Sequence, residues 1–282
     1  MAEFLVVYKP NGGRQAKKHL QWLKTQEQKH QIIWQWYATT GEFETDCRAI
    51  RLLANTVTQV IVIGGDGTLH LVVNATVEMP CRLALLPAGT GNDFARQFPF
   101  SQAQWRDTVF SHKTQRMDLG KVGGRYFHNI GGVGFNAAVV EALCVKNTRH
   151  PLSYVTAGLS QLFRFAGVLL ELDNRQALPT MMLVVANGRY FAAGLCPAPN
   201  NDSQDGQFEL LVFKGCKGWQ RVVSFVGMLL QCHTSLPFVE TWNSESITVH
   251  TVGLPIEADG ELVGVTPATF ECLSEKLLLA VL

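Results

Sequence analysis

Charge is what this sequence has least of. Asp, Glu, Lys and Arg make up 17% of its 282 residues and nearly cancel, leaving a net charge of +1. The composition therefore holds no basic patch of the kind that neutralises nucleic-acid phosphates, which argues against a nucleic-acid partner. It argues equally against a membrane contact held mainly by charge. Long apolar runs are missing too: nothing approaches the ~18 uninterrupted apolar residues of a transmembrane span, so none is expected. The opening MAEFLVVYKP sets an acid before a short apolar run, too short for the core of a secretion signal. The cysteines, at 47, 81, 144, 196, 216, 232 and 272, are odd in number and contain no CxxC pair. That pattern fits buried, reduced thiols and a cytoplasmic location. The histidines form no HxxxH or HxH spacing, which removes the usual zinc and triad arrangements. Neither GxSxG nor GxxxxGK[ST] occurs, so a hydrolase elbow and a Walker loop are excluded.

What is present is a large apolar fraction, 47%, and 25 glycines. The length is generous for one core and points to two domains. Over residues 1–115 strand-like runs (Phe4–Tyr8, Ile32–Tyr37, Val60–Ile63, Leu83–Leu86) alternate with helical patterns. One helix has Ala16, Leu20 and Leu23 on a face, the next Phe43, Cys47, Ile50 and Ala54. Such alternation implies right-handed crossovers and a parallel-sheet α/β domain. Over 116–282 short strands dominate: 116–121, 125–130, 180–186, 207–213, 246–251, 268–273 and 277–281. Helices are expected near 135–146, 153–170 and 218–231. This reads as a mostly β, sandwich-like second domain whose last strands can return to the first. Its strands could also pair across a homodimer.

Three glycine-rich turns fall at strand ends: KPNGGR (9–14), GGDGT (64–68) and PAGTGND (87–93). Turns of this kind let backbone N–H groups and a helix N-terminus converge on an anion, most often phosphate. Asp66 conflicts with a bare phosphate cradle. A divalent cation between carboxylate and phosphate resolves the conflict, and so does a role in orienting an amide or hydroxyl of a neighbouring turn. Thr68 is placed to cap the helix that follows. GGVGFNAA (131–138) has GxGxxA spacing but no acid about 20 residues on, so it reads as a tight turn into a helix and not as a dinucleotide site. Asp259 and Glu261 flank Gly260 in PIEADGELVG, a hairpin tip if both sides are strands. Asp202 and Asp205, in NNDSQDGQFEL, lie in an irregular loop whose spacing suits either a cation shell or an Asx-rich turn. The stretch 152–172 places Leu159, Leu162, Phe163 and Ala166 at helical spacing, a core face or the lining of a lipid cleft.

GGDGTLHLVVNA and LPAGTGNDFAR together resemble the two nucleotide-site motifs of the bacterial diacylglycerol kinase-like lipid kinases, which are related to sphingosine kinases and NAD kinases. NIGGVGFNA, NGRYFAAGLCPAPNNDSQDG and IEADGELVG match that family's later motifs in order, over nearly the whole chain. The resemblance implies a nucleotide-binding first domain, a lipid-substrate second domain and transfer of the ATP γ-phosphoryl to a lipid hydroxyl reached at a membrane surface. It implies that Glu261 is the general base, with Asp259 second, and that Asp66 serves the Mg²⁺–ATP complex. Nucleotide contacts fall to Gly12, Gly13, Arg14, Thr40 (preferred over Thr39), Gly64, Gly65, Gly67, Thr68, Gly89, Thr90, Gly91 and Asn92. It implies a structural Mg²⁺ at Asp202 and Asp205. Two positions depart from the family pattern: Lys9 stands where Asn is usual, and Asn136 where the motif has Asp. The alternatives are an NAD kinase-like enzyme and a nucleotide- or lipid-binding regulator without turnover.

Overall fold

The computed structural model of the protein describes residues 4–146, 164–173, 176–214 and 217–282. The chain divides into two compact units, Met1–Met117 with Glu275–Leu282, and Asp118–Ser274. It leaves the first unit within β5 (Thr114–Val122) and re-enters it within β16 (Ala268–Ala280).

The first unit is built on parallel strands β1 (Phe4–Tyr8), β2 (Trp34–Ala38), β3 (Gln59–Gly64) and β4 (Arg82–Pro87), in the order β2-β1-β3-β4. The end of β16 joins beside β4, Leu279 lying parallel to and opposite Leu83. Val60–Ile63 are all fully buried, as a central parallel strand covered on both faces requires. The crossovers are α1 (Arg14–His30), α2 (Phe43–Ala54) and α3 (Asp66–Thr76). α2 buries Cys47, Ile50 and Ala54, the face its sequence period marks out. Because β1, β3 and β4 are neighbours and parallel, the glycine turns that follow them line up along one sheet edge, where ligands of open α/β sheets bind.

The second unit centres on an antiparallel sheet of β7 (Ile130–Gly134), β10 (Met182–Ala186), β11 (Phe208–Phe213), β12 (Val239–Ser244), β14 (Pro255–Ala258) and β15 (Glu261–Val265), ordered β12-β11-β10-β7-β14-β15. Its central strands are buried on both faces. Leu183 and Val185 of β10 join Phe127, Phe208, Ile247 and Phe270 in one cluster. Met182, Val184 and Ala186 join Phe135 of α5 (Phe135–Lys146) and Met228 of α6 (Gly218–Leu229) in the other. One face thus packs against β13 (Ser246–Val249) and the start of β16, which pair antiparallel, and the other against helices. Sandwich-like describes the first face, and helical cover the second.

Several expected elements differ. The strand expected at 125–130 is split into β6 (Arg125–Phe127) and β7, because the amides of residues 128–130 leave the ladder to bind a carboxylate. The two strands expected at 268–273 and 277–281 are one, β16. Most of the helix expected at 153–170, with Leu159, Leu162 and Phe163, lies outside the described residues, and 168–170 is a strand. No described helix is long and apolar enough to cross a membrane. Among the described residues Cys47, Cys81, Cys196, Cys232 and Cys272 are free thiols, with Cys232 exposed rather than buried.

Gly120 of β5 lies opposite Phe127 of β6, and a Cβ there would sit 2.0 Å from the ring. Phe127 is fully buried and stacks on Phe208 at 5.7 Å. Gly120→Ala is expected to lower stability by about 1–3 kcal/mol through overpacking, read as a drop in the thermal midpoint. An unchanged midpoint would show that this ring has room to move.

Candidate active site

Two of the three turns of the first unit meet backbone to backbone. A Cβ on Gly89 would lie 2.4 Å from the Cα of Gly65, and a Cβ on Gly65 would lie 2.8 Å from the Cα of Gly89. The GGDGT and PAGTGND turns therefore touch main chain to main chain, closer than any side chain permits. Gly64 and Gly12 are glycines for a local reason: a Cβ would strike Thr68 at 2.3 Å in the first case and Ala16 at 2.6 Å in the second. Gly13 and Gly67 are different, since a Cβ on either would meet nothing within 4 Å.

Asp66 takes the second of its two sequence-based roles. Its carboxylate accepts the Asp93 N–H at 3.1 Å and the Phe94 N–H at 3.0 Å, tying α3 to the turn after β4. Thr68 does not cap α3: the N-cap is Gly65, with no side-chain cap bond, and the Thr68 N–H donates to the Gly65 carbonyl. Asn92, with a positive φ of 51°, closes its own turn by pairing both backbone groups of Gly89, at 2.8 and 2.9 Å. Thr90 and Arg14 are exposed.

Thr40 is tied to the start of α2. Its hydroxyl donates to Asp46 at 2.9 Å and accepts the Glu42 N–H, so its only proton is already used. Asp46 is a residue the sequence reading passed over. Burial works to raise its pKa. The Thr40 N–H, the Tyr37 and Thr40 hydroxyls and the Gly41 N–H outweigh burial and hold the carboxyl below its ordinary value.

In the second unit the DGE tip is a hairpin turn. Asp259 and Gly260 have φ of 50° and 83°, and Ala258 pairs with Glu261. The Asp259 carboxylate is completely buried. It accepts the N–H groups of His128, Asn129 and Ile130 at 2.9–3.2 Å and lies 2.7 Å from His128 Nδ1. In this structure it clamps the 128–130 segment to the hairpin tip. Glu261 is partly exposed at the first position of β15.

The carboxylate that sequence reading missed is Glu257. It is buried, accepts the Gly260 N–H at 2.7 Å and receives Asn136 Nδ2 at 3.0 Å. Burial pushes its pKa up to about 8; the Gly260 amide opposes this, and the Asp259 charge adds to it. Among the described residues Asn136 Oδ1 is buried without a partner. A flipped amide therefore presents that oxygen to a protonated Glu257. The Asp of the family pattern would set two carboxyls here, and Asn136 removes that conflict. The alternation of PIEA, with an acid inside an apolar strand, was the available signal.

Family models match the two halves of the chain. The diacylglycerol kinase catalytic domain matches residues 3–122, and the YegS C-terminal NAD kinase beta sandwich-like domain matches residues 131–281, more than half the chain. The chain belongs to the bacterial diacylglycerol kinase-like lipid kinase family. A diacylglycerol kinase of Staphylococcus saprophyticus is 26% identical over 288 residues, spanning 96% of this chain and 93% of its own. One from Bacillus subtilis is 29% identical over 220 residues, 74% of this chain and 73% of its own. A solved structure of a diacylglycerol kinase from Bacillus anthracis aligns with a TM-score of 0.75 at 22% identity, over 99% of this chain and 97% of that one, and shows the shared fold.

The lipid kinase's acidic loop makes the Asx turns its sequence allowed: Asp202 accepts from the Gln204 N–H and Asp205 from the Gln207 N–H. It wraps around a third carboxylate not singled out from sequence, buried Asp118, whose N–H donates to the Ser203 carbonyl and whose side chain accepts the Gly206 N–H at 2.7 Å. Among the described residues these three do not bring ligand atoms within 4.8 Å of one another. Burial pushes the Cys272 thiol up to about 12, aided by the Asp118, Asp205 and Glu245 carboxylates.

Two outcomes follow for the lipid kinase. Gly89→Ala is expected to lower the thermal midpoint, by about 1–3 kcal/mol in stability or more, because the clash is with backbone and cannot relax by a side-chain rotation. A neutral Gly89→Ala would contradict the backbone contact. Glu257 binds its proton more tightly folded than unfolded, so stability is full below its unfolded pKa near ~4.5 and falls as pH rises towards about 8. Glu257→Gln, which mimics the neutral acid, should flatten that decline in denaturant titrations across the same pH range. A decline that persists undiminished would place its origin elsewhere.

Proposed function

We propose that the protein transfers the γ-phosphoryl group of Mg–ATP to a hydroxyl of a diacylglycerol-like lipid at a membrane surface. The observation that carries this reading is the row of glycine turns at three adjacent parallel strand ends, two of them opening directly onto the N-termini of α1 and α3. Helix N-termini leave backbone N–H groups in need of an anion or water. Gly13 and Gly67 are glycines that packing does not require, and close approach of a phosphate does.

Gly12, Gly13 and Arg14, then Gly64, Gly65, Gly67 and Thr68, then Gly89, Thr90, Gly91 and Asn92 make up the nucleotide site. Within it Arg14 and the Thr90 hydroxyl contact phosphate, while Gly65, Gly89 and Asn92 hold the turns. Thr40, exposed after β2, joins this site. Each Asp66 oxygen accepts one amide and keeps a lone pair, which suits Mg²⁺ or a water bound to it. A structural Mg²⁺ at Asp202 and Asp205, beside Asp118, would require the 202–207 loop to draw these carboxylates closer together than they stand. Bound Mg²⁺ supplies neutralisation of phosphate charge.

Glu261 takes the proton as the acceptor O–H bond breaks. The new O–P bond forms while the bond from the γ-phosphorus to the ADP oxygen breaks. Support for Glu261 is that its turn is held from both sides, by Asp259 on three amides and by Glu257 on the Gly260 amide.

The test is transfer from γ-labelled ATP to a panel of hydroxyl lipids, with NAD as a control. Labelled lipid is expected, and labelled NAD would replace this reading. Glu261→Gln should still bind ATP and transfer roughly 10²–10⁴-fold more slowly; a normal rate would move the base. Gly67→Ala should keep its thermal midpoint, since Ala favours the helix and nothing is within reach, yet bind ATP more weakly. Wild-type affinity would take the phosphates away from α3.

A further inference from the structure

Helix α6 is turned inside out. Its polar residues Arg221 and Ser224 are buried, together with Gly227 and Met228. Its outer face carries Trp219 at 60% exposure, Val222 at 42%, Val226 at 47% and Leu229 at 66%, followed directly by Leu230 at 69%. Spacings of 3, 4, 3 and 1 place these side chains on one stripe just over a quarter-turn wide. An exposed helix normally shows the opposite pattern, and an uninterrupted exposed apolar stripe marks an interaction surface. Beside it lies a depression of about 210 Å³ lined by Val222, Val223, Val226, Gly227, Cys232 and Leu236. That is several times the ~30 Å³ of a liquid water, room enough for a length of acyl chain.

The flanks identify the chemistry of the partner. From Lys217 to Val239 the sequence has no acid, and Lys217 is exposed at the start of α6. Trp219 follows within the first turn, its ring edge-on to Phe238 at 6.0 Å. A cation and a Trp at the polar end of an apolar stripe is the order found where a helix lies in a bilayer interface. A protein partner burying the same stripe would more often call for a charged or hydrogen-bonding rim around it.

We infer that the outer face of α6 is a membrane-docking surface, inserting Trp219, Val222, Val226, Leu229 and Leu230 among the acyl chains of an anionic bilayer with Lys217 at the headgroups. The choice of a lipid partner rests on the proposed function.

The experiment is flotation of the full-length protein with phosphatidylglycerol–phosphatidylcholine vesicles, without ATP. The protein is expected to float, and the V222Q/V226Q/L229Q/L230Q variant to lose roughly tenfold or more of its vesicle affinity. Its thermal midpoint and its turnover of a monomeric short-chain diacylglycerol should be unchanged. Equal flotation of variant and wild type, or no flotation of either, overturns the inference. So does a variant that changes only the oligomeric state in sedimentation, which would assign the face to a second copy of the chain. Failure of the docking idea leaves turnover of the monomeric acceptor intact, and failure of the kinase reading leaves vesicle binding intact, so the two are separable.

Discussion

Two glycines pressed main chain to main chain, Gly65 against Gly89, are the constraint on which the first unit's site depends. No residue with a side chain fits at either position. Once the turns touch, Asp66 reaches across and gathers the amides of Asp93 and Phe94. Charge-assisted hydrogen bonds of this kind contribute about 1.5–3 kcal/mol each. This explains how a carboxylate survives in a turn otherwise suited to anions. Asp66 spends its charge on a neighbouring turn, which leaves the start of α3 open to another anion.

The second unit uses the same device in a different setting. Asp259 sits in a glycine-containing turn and collects three consecutive amides, those of His128, Asn129 and Ile130. In both places a short acidic side chain replaces strand or helix pairing with a point anchor, so a sharp change of chain direction leaves no buried amide unpaired. Glu257 adds a third carboxylate to the hairpin, stabilised as its neutral form. The tip that presents Glu261 is therefore held by one carboxylate that gathers three amides and by a second whose burial favours its neutral form.

Much of this was legible in the residues. Phe4–Tyr8 is a strand with the bounds its apolar run marks, and 135–146 is a helix as its pattern indicates. The glycine turns stand out because they interrupt strong periodic signals. Other parts were hidden for physical reasons. The stretch 131–134 reads as a turn because glycine has little strand propensity, yet it is strand, and its small residues are what let β7 lie at the centre of a sheet. At Gly132 a Cβ would come within 2.1 Å of the Leu183 carbonyl oxygen. The clamp by Asp259 spans some 130 positions of sequence, and no local pattern reports it. Thr68 looks like a helix cap by type and spacing, but the chain reserves the cap position for Gly65 because the neighbouring turn must pass there. Asp118 gave no local signal at all, since its partners on loop 202–207 lie far along the chain.

The route of β16 has a consequence for synthesis and for dissection of the chain. Its final residues pair beside β4 in a unit whose other strands were all made more than a hundred and fifty residues earlier. While the ribosome is producing the second unit, that edge of the parallel sheet waits unpaired, an open template for other strands. The first unit is thus completed only by a strand made after the whole of the second. Cutting the gene near residue 117 separates a fragment from one of its own strands and does not release a finished domain.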